Sequence, residues 1–591
     1  MGGWRMKVLS VDLSSGEVKD LPLSKKRATA AIGGTCLAAE YLYERVRGPC
    51  DPLAPENPVV IMTGPLTGTG IASSGRFCLA TLSPLTSCFL QSHAGGHVGP
   101  ELKYAGYDGL VITGAAEEPV YLSIEDGHVD IVPAGDMWGD TVSRTVRKLE
   151  ERADPEAKSL VIGPAGERLV PLACVQSDVY RACGRGGAGA VFGSKRLKAV
   201  VIRGTGGVDV YDPEAMVGIM SETRAMARKD LNGFSRYGTA NAGTLTNAAG
   251  VLPTANFTRG TYEHMGDIVG SSLKETVWKG RRACFACPIG CSQFSVSEGV
   301  RTEGPEYETT FSLGSCVLNH DPAVLVEANA LCNDLGLDTM SAGVTIAWAM
   351  EASERGLLPE RIPWGDGAAI CRLLRGMAYG DGLGVDLALG SRSASRRYGG
   401  ESFAMQVKGM ELPGYDPRKT QGMALAYATS TRGACHLRAP LYIAESFTKR
   451  SPALTLEGKP EQVVETEHHM LVLDSLIVCR FATRSTLRGT LPDLTGLLAS
   501  VTGITYTVPE LVHAAERAWN ISRLLNLSQG VGQEGDTLPE RIFSEPLDGV
   551  SLDRRDFSSA MAAYYRARGW DERGIPTPGT LRRLGLSPHP P

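Results

Sequence analysis

The sequence predicts an α+β fold: a β-rich base followed by two mainly helical domains. Three observations carry this. Short β-rich runs bounded by glycine, proline or aspartate fill residues 1 to about 208. At Asp212-Pro213, a helix-start signal, helical periodicity takes over. The chain of 591 residues is also too long for one hydrophobic core. The expected domains are 1–208, 209–415 and 416–591.

In the first part, MKVLSVDL, PVVIMTG, GLVITGA, PVYLSI, SLVIGPAG and KAVVIRG read as strands. Helical patterns interrupt them at 33–46 and 140–152. The second part reads as helices over 213–230, 322–335, 340–356 and 365–379. The last part is mainly helical, with a Pro/Gly-rich tail after Gly574. No internal repeat is visible along the sequence.

Composition excludes several classes. Sixty basic against sixty-five acidic residues give a net charge of −5, so a nucleic-acid binder working by bulk electrostatics is excluded. No apolar run approaches the roughly 18 residues a membrane span needs. MGGWRMKVLSVDLSSGEV opens as a strand and turn, with no signal-peptide pattern. Fourteen cysteines are too sparse for a disulfide scaffold at this length. The expected location is therefore the cytoplasm. Glycine is the anomaly: seventy residues, about 12%, where about 7% is usual.

Cys284-Phe-Ala-Cys287-Pro-Ile-Gly-Cys291 carries the spacing C-x2-C-x3-C. Thiolates so spaced converge from one tight turn, and an iron–sulfur cubane takes four of them, often beside a proline. Structural zinc usually takes two C-x2-C pairs instead. Spacing alone leaves the fourth ligand open among Cys316, Cys332, Cys435 and Cys479.

The glycine excess sits in clusters. Gly95-Gly96-His97 and Gly184-Arg185-Gly186-Gly187 are expected to bring backbone N–H groups against an anionic cofactor. Arg181 and Arg185 add bidentate donors suited to phosphate. A third cluster, Ser73-Ser74-Gly75-Arg76, has the same character.

Acid–base candidates follow the cysteines. Glu306 and Glu308 flank Tyr307; in an extended chain both carboxylates would point one way. Arg432-Gly-Ala-Cys435-His436-Leu-Arg438 is a compact polar run. Gly336 reads as a helix C-cap, and Asp338 or Thr339 as the next N-cap. The pair His468-His469 reads as a surface feature.

Together these residues resemble the tungsten-dependent aldehyde:ferredoxin oxidoreductase family, essentially end to end. The resemblance runs through the IGG at 32–34, GGHVGPELKYAGYDG, RACGRGGAGAVFGSKRLKAVVIRG and LPTANF at 252–257. It continues through CFACPIGC, GPEYET, LCNDLGLDT and ELPGYDPRKTQGMALAYATSTRGACHLR. It implies a β base cradling one tungsten (or molybdenum) held by two pterins, with no protein ligand to the metal. It also implies a [4Fe-4S] cluster on Cys284, Cys287, Cys291 and Cys479.

Other roles follow the same resemblance. Arg76 and Arg181 match phosphate-binding arginines. The carbonyls of His93 and Ala182 match positions that help hold Mg2+ between the pterin phosphates. Asn333, Asp338 and Asp474 match pterin-contacting positions, although Asn333 stands where the family has aspartate. Ile477 and Val478 replace a Gly-Leu pair before Cys479. Glu308, Tyr415 and His436 match residues near the metal in aldehyde-oxidising members, with Glu308 as general base.

The expected reaction oxidises aldehydes to carboxylic acids. Electrons would pass to ferredoxin or an iron–sulfur partner subunit, and the protein would act as a homodimer or hetero-oligomer. The alternative within the family is the catalytic subunit of an aromatic acyl-CoA reductase, with Cys316 as a thiolate ligand of the metal. An alternative outside it is a zinc-bound scaffold.

Overall fold

Twelve strands between Lys7 and Arg203 form two six-stranded sheets in the computed structural model, which describes residues 1–483 and 490–587. The first sheet holds β1 (Lys7–Asp12), β2 (Glu17–Pro22), β3 (Val59–Met62), β4 (Phe77–Leu82), β5 (Phe89–Ala94) and β6 (Gly109–Thr113), in the order β2-β1-β6-β3-β4-β5. The second holds β7 (Val120–Glu125), β8 (His128–Pro133), β9 (Lys158–Val161), β10 (Val175–Ser177), β11 (Arg181–Cys183) and β12 (Leu197–Arg203). Its order is β11-β10-β9-β12-β7-β8.

The two sheets repeat one topology. In each, the first and sixth strands pair parallel, and every other neighbouring pair is antiparallel. In each, the fifth strand runs through a glycine turn into a helix: β5 into Val98–Tyr104 and β11 into Ala188–Ser194. The expectation of no repeat is therefore corrected. Period-2 patterns conserve strand faces, not residue identities, so a repeated topology leaves little trace in the letters.

Apart from the exposed strands β2 and β8, both sheets are largely buried on both faces, which is why strands such as β3, β4 and β12 read as near-continuous apolar runs. Leu9, Val11, Val59 and Ile61 from the first sheet meet Leu122, Ile124, Leu160 and Val200 from the second in one shared core. Alternate residues face outward. Val60 and Met62 pack towards the helix Gly34–Arg45. Val161 and Val201 pack against Val142, Val146 and Leu149 of the helix Val142–Glu150. The base is thus a helix–sheet–sheet–helix stack.

The expected helices form at Pro213–Asp230, Pro322–Leu335, Thr339–Glu354 and Gly367–Tyr379. Asp212 caps the first by accepting from Ala215 N at 3.0 Å. Gly336 ends the second in the left-handed conformation, and Asp338 caps the third through Met340 N and Ser341 N. A three-stranded sheet also forms in this part: β13 (Trp278–Arg282), β14 (Ser292–Ser297) and β15 (Val300–Glu303). Its short polar strands carried no period-2 apolar signal. Within the Pro/Gly-rich tail beyond Gly574, Pro578–Leu584 is helical. Among the described residues no helix is long and apolar enough to cross a membrane.

The helix Gly34–Arg45 lies between the first sheet and the C-terminal helices Lys459–Leu476 and Val508–Ser528. Glycine makes that close approach. A Cβ on Gly64 would sit 2.6 Å from the carbonyl oxygen of Leu476, and one on Gly34 would sit 2.3 Å from that of Asp474. The end of Lys459–Leu476, which leads to Cys479, is thereby pressed onto the base. Gly64→Ala is expected to cost about 1–3 kcal/mol through overpacking against rigid backbone. Thermal unfolding checks this, and an unchanged midpoint contradicts it.

Candidate active site

Cys284, Cys287 and Cys291 occupy the loop 283–291, which joins β13 to β14. Backbone hydrogen bonds tie that loop to the base. Phe285 N donates to Gly96 O at 3.1 Å, and Ser73 N donates to Ala286 O at 3.1 Å. Cys479 N donates in turn to Ser73 O at 3.2 Å. Four segments distant in sequence therefore meet at one place. Of the four candidate partners, only Cys479 lines the same cavity as Cys284, Cys287 and Cys291. Cys316, Cys332 and Cys435 are buried elsewhere.

Ile477 stands where a glycine was expected and adopts the left-handed conformation itself, with φ 59° and ψ 38°. That conformation costs a β-branched residue roughly 1–2 kcal/mol. Its side chain is fully buried in the core, which offsets the cost. Ile477 itself thus makes the left-handed turn that leads to Cys479.

The cavity has a volume of about 370 Å³ and lies between the base and the helical parts. Arg76, His93, Gly95, Arg181, Ala182, Gly184, Arg185, Asn333 and Asp338 all line it, with Glu308 at one end. Gly96 lines an adjoining cavity of about 490 Å³ with His97 and Ser177, and Arg181 and Glu303 belong to both. A Cβ on Gly95 would approach the Cys284 sulfur to 2.7 Å, whereas one on Gly184 would meet only open space. The remaining glycines of the second cluster serve packing instead. A Cβ on Gly193 would fall 1.9 Å from Gly166 O, so the glycine run continues as a helix-to-helix contact.

The polar lining is incompletely satisfied. Ser73 Oγ, Gln176 Oε1 and Glu308 Oε1 are buried without a hydrogen-bond partner. Buried polar atoms are rarely left so, and such a lining calls for a polar occupant. Arg76 makes no ion pair among the described residues and donates to His93 O at 3.2 Å. Arg181 pairs with Glu303 at 3.0 Å. The Asn333 amide donates to Thr302 Oγ1 at 3.0 Å, leaving its oxygen as an acceptor. The His93 ring bonds Thr35 Oγ1 at 3.0 Å, and burial brings its pKa down to about 3. It is neutral.

Two expected cofactor contacts are otherwise engaged. Arg185 is buried and donates to Asp338 Oδ2, Ala434 O, Ser341 Oγ and Glu411 O. Its donors are spent on tying the base to the helical parts, although its surface reaches the cavity. Asp474 is absent from the cavity lining. It pairs with Arg438 and, at 3.4 Å, with Arg480. Burial opposes its ionisation, but these cations, led by Arg438, hold it well below the usual carboxylate range.

Glu308 does not lie on an extended segment as expected: a helix begins at Tyr307, with Glu306 at its N-cap. Both carboxylates still face the same way, into the cavity and into a second chamber of about 490 Å³. That chamber is mainly apolar and rich in aromatic rings, from Phe234, Tyr307, Tyr415, Tyr442, Phe447 and Phe481. Glu308 Oε2 accepts from Gly414 N at 3.0 Å, and its Oε1 lies 3.4 Å from His436 Nε2. Burial pushes Glu308 up to about 8. Burial, aided by Arg185 and Arg480, holds His436 well below its ordinary value, so its ring is neutral. Tyr415 stacks on Tyr442 at 3.7 Å, with its hydroxyl kept protonated by burial.

Several lining residues carried no motif signal, among them Tyr442, Phe481 and Glu303. Others had one that was misread. His469 lines the aromatic chamber and His468 bonds Arg568, so the histidine pair is not a surface feature. Cys316 sits in the core, its carbonyl accepting from Asn256 N at 3.1 Å, and lines neither chamber. Burial raises its thiol far above the ordinary range. This placement favours a buried core thiol over the alternative of a metal ligand.

The fold and the cavity define a cofactor-cradling enzyme. Residues 8–204 match the family model described as aldehyde ferredoxin oxidoreductase, N-terminal domain, and residues 218–586 match the one for its domains 2 and 3. The chain belongs to the aldehyde ferredoxin oxidoreductase family. It is 35% identical to the tungsten-containing aldehyde ferredoxin oxidoreductase of Pyrococcus furiosus, covering 99% of both chains. It is 36% identical to that of Thermococcus kodakarensis over the same shares. The active-site complex of benzoyl coenzyme A reductase with 1,5-dienoyl-CoA has the same fold: TM-score 0.86, 24% identity, covering 99% of this chain and 97% of that one.

Cys435 has an environment its motif did not announce. Arg432 Nη2 donates to its sulfur at 3.1 Å and Leu437 N at 3.4 Å. Burial disfavours the thiolate, but Arg432 and Arg438 outweigh it and bring the thiol down to about 6. Difference absorbance at 240 nm between the native protein and Cys435→Ser is expected to titrate near pH 6. No titration below pH 8 would contradict a resident thiolate.

Proposed function

We propose that this chain is a tungsten-dependent oxidoreductase that converts aldehydes to carboxylic acids, with molybdenum as the alternative metal. It passes electrons through a [4Fe-4S] cluster to ferredoxin or a partner iron–sulfur subunit. The observation that carries this reading is the position of Glu308. It lies where an aromatic chamber opens onto a cavity lined by Cys284, Cys287, Cys291 and Cys479 and by Arg76 and Arg181.

The lining fits the implied groups. Cys284, Cys287, Cys291 and Cys479 would hold the cluster. Among the described residues no three His, Cys, Asp or Glu side chains converge on a single ion; a cubane spreads its thiolates over four irons. Arg76 and Arg181 would bind pterin phosphates, with Mg2+ held through the carbonyls of His93 and Ala182. Gly95, Gly96 and Gly184 would admit the cofactor against backbone. The Asn333 oxygen would accept from a pterin amine. The tungsten bis-pterin supplies the two-electron oxidation when bound.

The chain's own residues position the aldehyde and move protons. The aromatic chamber favours an aldehyde with an apolar substituent and excludes bulk water. Glu308, once deprotonated, takes a proton from the attacking water. The Tyr415 hydroxyl and the neutral His436 ring donate to the carbonyl oxygen as charge develops on it. We assign the cradle to 1–208, Glu308 with three cluster thiols to 209–415, and His436 with Cys479 to 416–591.

Two measurements test these roles. Glu308→Gln is expected to keep its iron and tungsten and lose most turnover, about 100-fold or more. Near-native kcat in a fully loaded variant contradicts the role. Because the raised pKa keeps Glu308 protonated below about 8, kcat/KM should rise with pH up to about 8 and level above it. A flat profile from pH 6 to 9 would remove Glu308 as the base.

A further inference from the structure

Outside the cavities already described, one depression reaches the cysteine loop from the protein surface. It has a volume of about 610 Å³, and Cys284 and Cys287 lie in its floor. Its rim carries Arg224, Arg228 and Arg281, and no acidic residue lines it. All three arginines are exposed. None forms an ion pair among the described residues, whereas surface arginines elsewhere do, as Arg152 does with Asp136 and Arg583 with Glu516. In a chain of net charge −5, three unpaired cations around one opening depart from the average.

The fold holds this rim in place. Arg224 and Arg228 are four residues apart on the helix Pro213–Asp230 and so share a face. The end of that helix packs Ala227 and Leu231 against Ile289 of the cysteine loop. Ser235 Oγ fastens the next helix to Ile289 O at 2.6 Å. Arg281 lies along Gly290, with its Cδ 3.4 Å from where a Cβ on that glycine would stand. The cations are therefore fixed relative to the thiols.

We propose that the Arg224–Arg228–Arg281 rim is the docking surface for a small acidic iron–sulfur protein that carries electrons away from the cluster. This rests on the proposed function, which requires an exit for electrons. Oxidation of one aldehyde with one water yields one carboxylic acid, two protons and two electrons. A one-electron carrier must therefore dock and leave twice per turnover. Exposed, unpaired cations suit such an exchange, because they steer an acidic partner to the cluster and release it, at rates that fall with salt.

The test uses the loaded enzyme and its triple variant Arg224→Glu, Arg228→Glu, Arg281→Glu, matched for iron content. The acceptors are an acidic [4Fe-4S] ferredoxin and the dye benzyl viologen. The KM for ferredoxin is expected to rise about tenfold or more in the variant and to fall with salt where the native KM rises, while the dye rate stays within about twofold. Calorimetric binding of the same ferredoxin, which needs no turnover, should weaken in parallel. Unchanged binding and KM overturn the docking surface. So does binding abolished by inorganic phosphate at a concentration that leaves ionic strength unaltered, which marks a small-anion site. Absence of aldehyde oxidation with the dye in the native enzyme refutes the proposed function instead, and binding still decides the surface.

Discussion

The structure turns on how one loop is held. The segment 283–291 carries three of the four clustered thiols, yet contributes little to any core by itself. Its position comes from backbone hydrogen bonds to Gly96 and Ser73, and Ser73 in turn receives Cys479. These bonds are short-range and directional, so they act only if the base and the C-terminal helix are already in register. Glycines at 34 and 64 permit that register by letting the helix Lys459–Leu476 touch the base backbone to backbone. The fourth thiol is thus delivered by a packing contact far from the other three in sequence.

Charge is arranged around the same place. Arg76, Arg181, Arg185, Arg432, Arg438 and Arg480 crowd the cavity and its wall. Burying so many cations is costly unless each is answered. Asp338 answers Arg185, Glu303 answers Arg181, and Asp474 answers Arg438 and Arg480. The Cys435 sulfur answers Arg432. Among the described residues Arg76 has no carboxylate partner and donates to the His93 carbonyl, which leaves its charge for an anionic occupant of the cavity it lines. The neutral His436 and protonated Glu308 leave the junction of the two chambers uncharged before reaction begins.

Much of this was legible beforehand, for identifiable reasons. Fully buried strands such as Val59–Met62 announce themselves as apolar runs, and Asp212 and Asp338 are caps whose chemistry is local. Cysteine spacing reads directly because three ligands come from one turn. Other features depend on contacts that no local pattern encodes. The strands β4 and β5, the sheet that presents the cysteine loop and the repeated topology of the base are examples. Arg185 looked like a phosphate donor because its neighbours are glycines, but its acceptors lie far away at Asp338, Ala434 and Glu411. The glycine excess likewise divides: Gly95 and Gly184 face the cavity, while Gly34, Gly64 and Gly193 allow backbone elements to touch.

The central claim is that the thiol- and arginine-lined cavity holds a redox cofactor serving the Glu308 chamber. Anaerobic purification followed by metal analysis, with an aldehyde activity panel on the same sample, tests it most directly. The account predicts about four irons per chain, tungsten or molybdenum beside them, and oxidation of apolar aldehydes. Zinc without iron, or a fully loaded protein inactive on every aldehyde, would contradict it.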